Sequence, residues 1–142
     1  MQAVESLPSM QDLELALQVG DRLVACSKRY ISEVIRIEGW IETPAAPEYV
    51  IGTVAINDSI YTLIDIRKTA AETSHKEPDE VIGESIVGLV IDHPSYHRIV
   101  IAGQRAVSLF QEQSAEWTQI QLPAPLITSK GNPPVLLFEK AN

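Results

Sequence analysis

From Leu13 to Val19 every second residue is apolar (Leu13, Leu15, Leu17, Val19), and Gly20-Asp21 follows at once. A two-residue period puts those side chains on one face of an extended strand, and glycine supplies the positive φ that a tight hairpin turn needs. Arg22 to Cys26 then runs back as a second strand. The same unit, a short apolar burst closed by a turn signal, recurs along the chain. Tyr49–Ile56 and Ile60–Ile66 flank Asn57-Asp58-Ser59, whose Asn and Asp tolerate left-handed geometry. Ser85–Ile91 and Arg98–Ala102 flank His93-Pro94-Ser95-Tyr96, Arg105–Phe110 adds another strand, and Val135–Phe138 closes the chain behind Gly131-Asn132-Pro133-Pro134. Roughly seven or more short strands with frequent turns define an all-β protein of barrel or sandwich type. No strand–helix alternation of the kind a parallel sheet requires is present.

Three segments break the pattern. Ile31, Val34 and Ile35 fall at i, i+3 and i+4 behind a Ser27 N-cap, which predicts one or two helical turns. Pro44 and Pro47 stiffen an extended connection, because the residue before each is steered away from helix. Arg67–Glu84 is polar and reads as a short helix near Lys68–Glu72 followed by a mobile loop, and a polar bridge containing Trp117 precedes the last strand.

The chain has 142 residues, 45% of them apolar, enough for one domain with its own core. Residues 1–11 read as a flexible leader and 12–140 as the domain. No apolar run approaches the ~20 residues of a membrane helix, so no membrane insertion is expected. Met1–Ser6 shows no basic region leading into an apolar stretch, and Cys26 is the single cysteine, which together point to a reducing, cytoplasmic setting. The net charge of −8, with basic residues scattered, argues against a nucleic-acid partner.

Catalytic patterns are missing. Gly83-Glu84-Ser85-Ile86-Val87-Gly88 misses the spacing of a nucleophile elbow by one residue and reads as a strand start. His93 and His97 would share a helical face as metal ligands with Asp92, but Pro94 between them and the surrounding strand pattern oppose a helix. His75 lies in the polar loop. The carboxylate pairs Glu112/Glu116 and Asp79/Glu80 sit in polar segments without the desolvation that acid–base work requires. No phosphate loop or dinucleotide fingerprint occurs, and Cys26 ends an apolar strand, where a buried thiol is inert. No cofactor and no enzymatic activity are expected.

The order of the segments resembles the CheW-like domain, the adaptor module that couples chemoreceptors to a histidine kinase. Leu13–Asp21 is similar to the family's first strand and turn. Tyr30-Ile31-Ser32-Glu33-Val34-Ile35 matches its short V-x-E-I/V-like segment, with Glu33 at the acidic position. Thr43–Gly52 resembles the proline-bracketed stretch that ends in glycine. Ala55–Ile66 falls where the family has its asparagine–leucine–arginine–glycine turn and proline–x–x–aspartate–leucine strand, and Asp65-Ile66-Arg67 fits the end of that motif. Val135–Phe138 is similar to the final strand. The resemblance spans residues 12–140, strongest over 30–67 and weak after 85. The chain departs from it at Asn57, where the family has arginine, at Asp58 for glycine, at Thr62 for proline, and at Ala102-Gly103 for a valine–aspartate pair.

The resemblance implies two SH3-like five-stranded β-barrel subdomains sharing a core. It also implies an adaptor binding a CheA-like histidine kinase regulatory domain and a chemoreceptor's cytoplasmic tip, in a specialised pathway such as surface or twitching motility. Asn57 and Asp58 at an exposed turn, Glu33, the apolar Ile35 and Ile37, and the groove aromatic Trp40 are the candidate protein-interface residues; for the last three, packing in the core is the competing reading. Two alternatives stay open, the first of them because Asn57 offers a neutral amide where an arginine would carry a fixed charge. One is a barrel of this type bound to another regulatory protein. The other, resting on Asp92, His93 and His97, is a barrel that binds a small molecule or metal.

Overall fold

The computed structural model describes residues 15–26, 30–69, 86–109, 117–128 and 137–141. These form β1 (Leu15–Val19), β2 (Arg22–Cys26), β3 (Ile31–Ile37), β4 (Val50–Ile56), β5 (Ser59–Ile64), β6 (Ile86–Ile91), β7 (Ile99–Gly103), β8 (Arg105–Ser108), β9 (Thr118–Ile120) and β10 (Leu137–Ala141), with 3-10 turns at Ile66–Lys68 and Ala124–Leu126. Two five-stranded sheets result, in the orders β8-β1-β2-β10-β9 and β3-β6-β7-β5-β4. The chain begins the first sheet, builds the whole of the second, and returns to finish the first. Every neighbouring pair is antiparallel except β5 and β7.

Turn chemistry sets the register of both tight hairpins. Val19 pairs with Arg22 across Gly20-Asp21, and Gly20 sits at a φ of 63° while Asp21 does not, the pattern of a type II′ turn. Ile56 pairs with Ser59 across Asn57-Asp58, whose φ values of 51° and 69° mark a type I′ turn. Asn and Asp are the side chains that enter this region most readily after glycine.

Because strand side chains alternate, each sheet has two faces, and both are buried over much of their area. Leu17, Val24 and Leu137 of the first sheet meet Ile64, Leu89, Ile99 and Ile101 of the second in one shared layer. The opposite face of the second sheet encloses Ile37, Val54, Leu63, Ile86, Val90 and Val100. That of the first encloses Ala16, Leu23, Ala25, Leu109 and Phe138. Each fully buried Leu or Ile contributes about 1.5–3 kcal/mol over an exposed one. The fold is therefore all-β, two five-stranded subdomains sharing a core.

The segment predicted to hold helical turns is a strand instead. β3 carries a bulge, since Ile31 pairs with Ile91 but Glu33 already pairs with Val90. One extra residue reverses the alternation. Ile31 faces the shared layer, whereas Ile35 and Ile37 face the second sheet's own core, and the phase change imitates a helical period. Ser27 lies outside the described residues. The segment read as a polar bridge contains β9, a short polar edge strand. Ahead of the predicted helix near Lys68–Glu72 stands the 3-10 turn Ile66–Lys68; residues 70–85, like the 1–11 leader and the 131–134 turn, lie outside the described residues.

Two devices shape the second subdomain. Past β3 the chain curls until Ile41 bridges Thr53 of β4, with N–H to O=C bonds of 3.0 and 2.8 Å in the two directions, which closes the sheet on itself. Gly52 permits this closure, because a Cβ there would fall on the Ile41 carbonyl oxygen and within 2.9 Å of Trp40 Cδ1. At the end of β5, Asp65 and Arg67 form a buried bidentate pair. The Arg67 Nε and Nη2 groups donate to the two carboxylate oxygens at 3.0 and 2.8 Å, and the Arg67 backbone N–H donates to Oδ1 at 3.0 Å. Asp65 also donates its own N–H to the Tyr49 carbonyl at 2.8 Å, tying the exit of β5 to the entry of β4.

Two outcomes follow for stability, read by urea denaturation. Gly52→Ala, blocked by a backbone atom, should lose more than Gly88→Ala, whose Cβ would meet the side chains of Val100 and Ile37 at 2.6 and 2.7 Å. Losses of about 1–3 kcal/mol are expected, and no loss at Gly52 would refute the closure argument. Arg67→Leu should cost about 3–5 kcal/mol by stranding a buried carboxylate, and replacing both partners by apolar residues should recover much of it.

Candidate interaction surface

Among the described residues, the first sheet covers only part of one face of the second. Ile64, Ile99 and Ile101 on the facing side are sealed in the shared layer, but the same face runs on over β5 and β4. Thr62 pairs with Ile99, Thr53 with Thr62, and Ala55 with Ile60, while Ile41 bridges Thr53. Cross-strand partners point the same way, so Ile41, Thr53, Ala55, Ile60 and Thr62 lie together on this overhang. Ile41 is 73% and Ile60 62% exposed, the largest values among the described bulky aliphatic residues. The Asn57-Asp58 turn stands exposed at its tip. At the other edge of the sheet Val34, opposite Leu89, is 37% exposed.

The six residues singled out from the sequence do not gather at one place on the surface. Asn57 and Asp58 occupy the tip of the β4–β5 hairpin. Glu33 is half-buried beside the β3 bulge. Ile37 is buried, with Ile35 and Trp40 packed half-buried against the same core, so these three line the interior of the second subdomain rather than an open groove. Ile41 and Ile60 were missed. Trp40 packs against the second sheet's core while the next residue, Ile41, is exposed, a difference that the curl after β3 sets and the sequence does not display.

Of the residues considered for chemistry, Cys26, Asp92, His93 and His97 are among the described ones, whereas His75, Asp79, Glu80, Ser85, Glu112 and Glu116 lie outside them. Cys26 is fully buried in the shared layer, and that burial pushes its thiol up to about 12. His93 accepts the Ser95 backbone N–H at Nδ1, 3.0 Å away, and its ring stands edge-on to Tyr30 and Tyr96, with centroids at 5.0 and 6.1 Å. Asp92 and His97 are exposed, and no three His, Cys, Asp or Glu side chains among the described residues assemble as metal ligands. A cleft of about 290 Å³ is lined by Arg22, Thr69, Gln119 and Glu139, of which Arg22 and Glu139 form an ion pair of 2.6 Å. No helix among the described residues is long and apolar enough to cross a membrane.

Two five-stranded sheets sharing an apolar layer define the class of the fold, an all-β protein of two packed sheets. The solved structure of the scaffolding protein TtCheW from Thermoanaerobacter tengcongensis has this fold: the two superpose with a TM-score of 0.53 at 11% identity, over 68% of this chain and 62% of that one. The match thus spans somewhat less than two thirds of the scaffolding protein. No family model matches the sequence, and no curated protein matches it.

The buried thiol gives a pH signature. In the unfolded chain it ionises near its ordinary value of 9.0, whereas in the fold it stays protonated to about 12. Between these values the unfolded state binds fewer protons, so stability falls as pH rises. Urea unfolding should show a loss of about 2 kcal/mol between roughly pH 8 and pH 10.5 that is missing in Cys26→Ala, and an unchanged slope in that variant would show the thiol is not the cause.

Proposed function

We propose that the chain is a non-enzymatic adaptor of the chemotaxis type, which holds a CheA-like histidine kinase regulatory domain and a chemoreceptor's cytoplasmic tip together, as in surface or twitching motility. The observation that carries this reading is the superposition of 68% of the chain on a scaffolding protein. The chain order supports it too: the family-like segments over residues 30–67 build β3, β4, β5 and the buried Asp65–Arg67 corner. An adaptor needs no bond-making groups. A rigid block with two docking surfaces raises the effective concentration of each partner for the other.

On this reading Asn57 and Asp58 contact the kinase domain from the hairpin tip, and Glu33 contributes from β3. Ile35, Ile37 and Trp40 then act indirectly, by holding the β-surface from inside. The left-handed backbone at Asn57 favours a second reading. Asn suits the turn where arginine is strained by about 1–2 kcal/mol, so this tip is built for the turn first, and another regulatory protein can be its partner.

Calorimetry of the purified chain with the regulatory domain of a CheA-like kinase from the same organism decides between them. Micromolar binding that weakens about tenfold on reversing the charge at Asp58 is the expected result. Absence of binding by the native chain, with binding gained by Asn57→Arg, would transfer the assignment to another regulatory partner.

A further inference from the structure

We draw no further inference here: the strongest candidate, the exposed apolar face of the second sheet at Ile41 and Ile60, carries nothing, because its border holds Arg98 as well as Asp58 and nothing in the structure shows what covers it.

Discussion

The apolar layer between the two sheets determines where everything else can be. Each sheet contributes one face of alternating Leu, Ile and Val, and those faces exclude water only when pressed together. The chain path meets this requirement by long-range pairing. β2 and β10 are neighbours in the first sheet although every strand of the second lies between them in sequence. The same requirement explains why so few charged groups are buried among the described residues. Asp65 and Arg67 are the pair that is, and each satisfies the other through two parallel hydrogen bonds at the corner where the chain leaves β5.

Much of this architecture was legible in the sequence, for definite reasons. The hairpins at Gly20-Asp21 and Asn57-Asp58 were visible because positive φ is a demand that few residues meet. The all-β class followed from short apolar bursts, and the strands β4 to β7 fall within a residue or two of where alternation puts them. β3 was misread because a bulge shifts the phase of alternation, and two strand halves of opposite phase present apolar residues three and four apart. β9 was invisible for the opposite reason. Thr118-Gln119-Ile120 is an edge strand held by pairing to β10, and an edge needs little apolar pattern of its own.

The candidate surface was legible only in part. Local sequence says which side of a strand a residue faces, but not whether another sheet covers that side. Ile60 and Ile99 lie on one face of the second sheet and have the same local character; one is 62% exposed and the other is sealed. The difference is the lateral extent of the first sheet, a tertiary property. For the same reason Ile35 and Ile37 could be nominated for a groove although the bulge turns them inward.

The Asn57-Asp58 tip shows how fold and proposed binding constrain one another. A two-residue type I′ turn wants glycine, asparagine or aspartate at both positions, and a long charged side chain there works against the hairpin. Asn57 and Asp58 meet the backbone demand at both sites, which leaves the recognition chemistry to be supplied by a short amide and a carboxylate held close to the sheet. Their reach is small. Beneath them, Ile60 is the next outward-pointing side chain along β5, opposite Ala55. A tip that carried a long guanidinium could bind at a distance from the sheet. This one is too short for that, so any contact made by Asn57 or Asp58 is made close to the sheet.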